Sequence, residues 1–285
     1  MINSKPHLWM AFAIVAPISA QAFTWRLETP AHHPANRYSA VMAHDSARGK
    51  TMLFGGYHSG TSTTFGDFWA WDGSDWFAVF CQHYPSARWM SAMVYDSDRQ
   101  CLVLFGGYGP SPLMSDTWEF DGVDWVQRVV SPAPAGRFDH AMAYDSGRQR
   151  TVLFGGYVSQ SGTLSNQTWE WDGTLWRLRT PVNSPSARYG ASMAYDPIRQ
   201  RVVLFGGKVT NPLSDTWEWD GTNWEQRASG SGPLLGGRYH YGMAFDEVRQ
   251  RVVLWGGKNN STPGPTDTEE WTGTSWLQAS PAASP

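Results

Sequence analysis

The sequence predicts an all-β fold made from one four-stranded unit used about five times. Three observations carry that expectation. A short apolar run ending in Gly-Gly recurs, with its second glycine at Gly56, Gly107, Gly156, Gly207 and Gly257, about fifty residues apart. A fixed period of that length marks a supersecondary unit repeated along the chain. Each copy opens with an Arg eight residues ahead of an Asp: Arg37 and Asp45, Arg88 and Asp96, Arg137 and Asp145, Arg188 and Asp196, Arg238 and Asp246. Each closes with a Trp three residues past a turn glycine: Trp76, Trp125, Trp176, Trp224 and Trp276.

Residues 1–22 read as an export signal. Lys5 precedes an apolar stretch from Leu8 to Ala20, and Ala20-Gln21-Ala22 is a small-residue cleavage pattern. The stretch is shorter than the ~20 apolar residues a bilayer span needs. No later segment is apolar enough, so no membrane span is expected and the chain is expected to be secreted or periplasmic. Residues 23–285 are expected to form the repeat domain, with units at approximately 37–80, 88–130, 137–180, 188–228 and 238–279. An extra N-terminal strand is expected over 24–28, because Trp25 precedes Arg37 by the twelve residues that also separate Trp76 from Arg88 and Trp125 from Arg137.

Within a unit the first strand runs from the Arg to the Asp. A Met sits at its centre (Met42, Met93, Met142, Met193, Met243) between mostly small residues, which suits a crowded innermost strand. The Asp-x-x-Arg segment that follows is a turn, since Asp hydrogen-bonds its own backbone. The second strand, as in Val202-Val-Leu-Phe205, is apolar on both sides and is expected to be buried on both. Its two glycines allow backbone angles that a Cβ forbids. After a loop of variable length, Trp-Glu-aromatic alternation (Trp169 to Trp171, Trp217 to Trp219) marks a third strand. Asp-Gly, as at Asp121-Gly122, then supplies a type I′ hairpin turn into the Trp-led fourth strand.

The Gly-Gly after an apolar strand, the third-strand aromatic and the following Trp resemble the kelch repeat, in the variant common in exported bacterial proteins. The resemblance covers the whole chain after the signal. It implies a kelch-type β-propeller with one four-stranded blade per repeat. Kelch rings of six or seven blades are the familiar sizes, so five is a departure. The chain also starts and ends with a fourth strand, at Trp25 and at Trp276. A single five-bladed disc can close with either one on the outside of the last blade, or the propeller is open and completed by another chain.

The formal net charge is −3, which argues against a nucleic-acid partner, since such proteins carry a basic stripe. Cys81 and Cys101 are expected to be free thiols. The strand assignment puts them at opposite ends of the blades, ~17 Å apart for a five-residue strand, and a disulfide needs Cα atoms within ~7 Å.

The strand order places the fourth-to-first connections and second-to-third loops on one face, called the top. The short turns lie on the other face, the bottom. Variable loops on a rigid scaffold are where binding is expected, so the candidate ligand residues are the non-repeating top positions Tyr84, Asp139, His140, Lys208, His240, Tyr241 and Lys258. His32, His33, His58 and His83 are also expected on the top and His44 on the bottom, with no tight spacing that would mark a metal site. Asp139-His140 is a neighbouring acid–imidazole pair, but no nucleophile motif accompanies it. Arg37, Arg88, Arg137, Arg188 and Arg238 either line the axial channel as a cationic ring or pair with the acids opening the third strands. Most Trp residues recur at fixed positions and are expected in the core.

The leading expectation is a non-catalytic interaction module that binds a protein or carbohydrate through its top face, without a cofactor. The resemblance keeps a second class open, since kelch-type propellers include galactose oxidases and sugar-acid mutarotases. The two cysteines do not match the Cys–Tyr cross-link that the copper oxidase needs. A mutarotase-like site needs only a base and a cation in the channel. A third possibility is a repeat segment of a larger assembly.

Overall fold

The computed structural model describes residues 28–109, 113–229, 236–261 and 264–279. Among these the repeats form five four-stranded antiparallel sheets in a β-propeller arrangement. Blade 1 comprises Val41–Asp45, Lys50–Phe54, Phe68–Trp71 and Trp76–Ala78. Blade 2 comprises Ala92–Asp96, Cys101–Phe105, Thr117–Phe120 and Trp125–Arg128. Blade 3 comprises Ala141–Asp145, Arg150–Phe154, Thr168–Trp171 and Trp176–Arg179. Blade 4 comprises Ser192–Asp196, Arg201–Phe205, Asp215–Trp219 and Trp224–Ser229. Blade 5 comprises Gly242–Asp246, Arg251–Trp255, Thr268–Trp271 and Trp276–Ala279. No helix among the described residues is long and apolar enough to cross a membrane. The signal segment and Trp25 to Leu27 lie outside the described residues, and Glu28 belongs to no strand.

Each blade has two unlike faces, and alternation in the second strand makes both apolar. In blade 3, Val152 and Phe154 face blade 4, where they meet Met193, Val202, Leu204, Trp219 and Trp224. Leu153, Trp169, Trp171 and Trp176 face blade 2, where they meet Val94, Val103 and Phe105. The same contact joins blade 1 to blade 2 and blade 4 to blade 5. Polar bonds reinforce it. The indoles of Trp171, Trp219 and Trp271 each donate at 2.9 Å to a Glu of the preceding blade (Glu119, Glu170 and Glu218).

The five arginines resolve to the structural alternative. Arg37, Arg88, Arg188 and Arg238 fork onto Asp67, Asp116, Asp215 and Asp267 at 2.5–3.1 Å. Arg137 finds Gln167 at 3.0 Å instead. Each also donates to the carbonyl of the first Gly of its own blade. Their side chains are buried, and none lines the axial channel, a cavity of about 710 Å³ walled by the five inner strands.

Trp276–Ala279 completes blade 5 as its outer strand, so the chain's C-terminal fourth strand takes that place. Among the described residues, neighbouring inner strands pack against one another from blade 1 through blade 5, and no comparable packing of inner strands joins blade 5 to blade 1. Met42 of blade 1 is 52 % exposed, whereas its equivalents Met93, Met142 and Met193 are 5–7 % exposed. Cys81 and Cys101 are free thiols, and burial pushes Cys101 up to about 12.

Candidate functional site

The non-repeating chemistry gathers at the top mouth of the channel. The residue after each Arg bridges to the residue after each Gly-Gly: Tyr38 to Tyr57, Trp89 to Tyr108, Phe138 to Tyr157, Tyr189 to Lys208 and Tyr239 to Lys258. Every blade therefore raises one pair of side chains above its two inner strands. The next residue has a positive φ in every blade, at Ser39, Met90, Asp139, Gly190 and His240. That kink lets the backbone bond from blade to blade around the mouth. Met90 donates to Ser39 at 3.0 Å, Asp139 to Met90 at 2.8 Å, Gly190 to Asp139 at 3.0 Å and His240 to Gly190 at 2.9 Å.

The raised side chains form a belt of touching rings. Tyr57 stacks on Trp89 with centroids 5.0 Å apart, and Phe138 stacks on Tyr157 at 4.9 Å. Edge contacts at 5.7 and 5.3 Å link Trp89 through Tyr108 to Phe138. Tyr157 to Tyr189 at 4.6 Å and Tyr189 to Tyr239 at 5.9 Å carry the belt into blade 5. Tyr38 extends it at the blade 1 end and is 46 % exposed. In blades 4 and 5 lysines replace the second aromatic. Lys208 Nζ lies 4.9 Å from the centre of the Tyr239 ring, a cation–π contact, and Lys258 is exposed.

Asp139 and His240 come together across 101 residues, with Oδ2 and Nε2 2.8 Å apart. The link passes over blade 4, and Gly190 makes room for it: a Cβ there would lie 2.8 Å from His240 Cδ2. Asp139 does not pair with His140, because alternation turns neighbours apart. His140 is buried against Phe105, with neither ring nitrogen hydrogen-bonded. Burial, and secondarily Arg137, pushes it down to about 3, so it is neutral at physiological pH.

The other candidates separate. Tyr241 is buried, its hydroxyl donating to the Phe205 carbonyl and accepting from Ser192 N–H. Tyr84 packs in the wedge between blades 1 and 2, its hydroxyl bonded to Val79 and Cys81 backbone. His32 and His83 are not on the top face. The connectors descend the wedge, and the two rings meet Asp75 at 2.7 Å and Asp124 at 2.6 Å in bottom turns. The aromatic belt escaped the sequence reading. Its signal was available, an aromatic after every Arg and after three of the five Gly-Gly pairs.

No family model and no curated protein matches the chain in sequence comparison.

Proposed function

We propose that this chain is an exported, non-catalytic binding module of the kelch type that takes a glycan on its top face. The aromatic belt carries the proposal. Half-exposed rings fixed side by side on a rigid scaffold offer flat apolar platforms to the C–H faces of sugar rings, with few polar groups to set orientation. Lys208 and Lys258 at one end of the belt add positive charge, which favours an acidic sugar. The test is a panel of neutral and uronic-acid oligosaccharides in a direct binding assay. Trp89→Ala and Tyr189→Ala should each weaken binding about tenfold or more, equivalent to ~1.4 kcal/mol, while Val123→Ser in a bottom turn leaves it unchanged. Absence of glycan binding, or equal loss from the bottom-turn change, would overturn the reading.

One observation favours a second reading, a propeller enzyme acting on a sugar. The Asp139–His240 pair sits at the channel mouth, where a carboxylate-oriented imidazole suits proton transfer. Asp139→Asn would then abolish interconversion of sugar anomers or epimers while sparing binding to the belt.

A further inference from the structure

The connectors from blade 1 to blade 2 and from blade 2 to blade 3 share a course but differ in one large side chain. Tyr84 stands eight residues after Trp76 and four before Arg88, and Ala133 holds the same place after Trp125 and before Arg137. The flanking positions match in burial. Pro85 and Pro134 are buried, Ser86 and Ala135 are exposed, and Cys81 and Val130 are half-buried. Cys81 and Tyr84 pack against the core between blades 1 and 2, and Val130 and Ala133 pack in the same way between blades 2 and 3. In the first wedge the Tyr84 hydroxyl donates to the Val79 carbonyl at 3.2 Å and accepts from Cys81 N–H. In the second wedge Ala133 supplies no ring, and a cavity of about 420 Å³ opens there. Arg128 and Val130 stand where Val79 and Cys81 stand in blade 1, and both line it beside Ala133. No described residue accepts a hydrogen bond from Val130 N–H. Exposed Val129 and Ser131 border the cavity, so it can be entered from solvent. None of its walls belongs to the aromatic belt.

We propose that this cavity is a binding site for a phenol, which takes the place that the Tyr84 side chain takes one wedge earlier. The hydroxyl of the ligand donates to the Arg128 carbonyl and accepts from Val130 N–H. Arg128 also pairs with Thr117 in the sheet, but a carbonyl has two lone pairs and can accept twice. The volume lies within the ~300–1,000 Å³ of small-molecule sites. Two simpler occupants fit less well. A water molecule can meet the polar groups but leaves the apolar side chains of Val130 and Ala133 uncovered. A plain aromatic ring covers them but leaves the amide donor shut in without an acceptor, which is unfavourable. A phenol does both with one rigid group. Its source is a free phenolic compound or a tyrosine side chain of a polypeptide, and the site is independent of the glycan reading of the top face.

Calorimetric titration of the purified protein with p-cresol, the tyrosine side chain as a free molecule, tests the site. Saturable binding is expected, about fivefold or more tighter than that of toluene, which lacks the hydroxyl. Ala133→Tyr restores the arrangement of blade 1 and should weaken p-cresol binding about tenfold or more by filling the cavity. Val130→Pro removes the N–H donor and should weaken it about fivefold. Blade 3 carries Pro181 at the equivalent position, so the connector accommodates that ring. Trp89→Ala, in the belt, should leave p-cresol binding unchanged. N-acetyltyrosine amide separates the sources: binding at least as tight as that of p-cresol assigns the site to a polypeptide tyrosine, and weaker binding assigns it to a free phenol. Four results would overturn the proposal: no saturable binding of p-cresol, equal affinity for toluene, undiminished binding in either cavity variant when folded, or loss of binding in Trp89→Ala.

Discussion

Glu269 occupies the place that Trp69, Trp118, Trp169 and Trp217 hold in the other blades. There each indole donates to the residue opening its third strand, at 2.7, 2.6, 3.2 and 2.7 Å. A carboxylate has no proton to donate, and Glu269 is fully buried with neither oxygen hydrogen-bonded. Burial, then the neighbouring Asp267, pushes it up to about 7, while Arg238 opposes the shift. Protonated, Glu269 can donate to Asp267 as an indole would. The folded state thus holds this proton up to about pH 7, whereas the unfolded chain releases it near pH 4.5. Its contribution to stability is complete below the lower value and is lost as pH rises through the higher one. Urea unfolding across that range should show the decline, and Glu269→Gln should remove it. Arg137 makes the complementary case. It is fully buried with no carboxylate, and burial lowers it to about 10. Since the cost of burying this charge is already incurred, Gln167→Asp should add ~1 kcal/mol, read as a Tm rise of ~2–4 °C.

At the scale of the element, the blade-to-blade contact is a code of donors and acceptors laid over an apolar core. Trp224 donates to Thr168 at 2.8 Å, whereas Trp125 has no acceptor because Phe68 stands where blades 2, 3 and 4 have Thr. Two chemically identical substitutions should therefore diverge. Trp224→Phe breaks a buried hydrogen bond and should cost ~1 kcal/mol more than Trp125→Phe, which removes a donor that is already unsatisfied. Paired unfolding curves measure the difference. The strands, turns and core faces were legible in the sequence because each obeys a local rule repeated five times. The path of the connectors was not. Strand direction alone predicts His32 and His83 on the top, yet the irregular connector that begins at Val79 runs back down the wedge and brings His83 to Asp124, and His32 meets Asp75 in the same way. Nor was the Asp139–His240 pair legible, because residues 101 positions apart meet only once the ring curvature and the side-chain-free Gly190 are known.

Across the whole molecule, repetition and its exceptions divide the labour. Repeated residues hold the blades: the Arg–Asp forks at the top, the indoles between sheets and the Asp–Arg turns at the bottom. Exceptions cluster at the top mouth and on one side of blade 1. The mouth collects Lys208, Lys258, Asp139 and His240 beside an aromatic belt, and on the side of blade 1 away from blade 2 an exposed Met42 lines a cavity with the half-buried Trp71 and Trp76. The most direct measurement of whether the top face is the working one is hydrogen–deuterium exchange with and without a bound acidic oligosaccharide. Protection should appear in the segments bearing Trp89, Phe138, Tyr189 and Tyr239, and bottom turns such as Asp121 to Asp124 should be unchanged. Protection confined to the bottom turns or the outer strands would contradict the assignment.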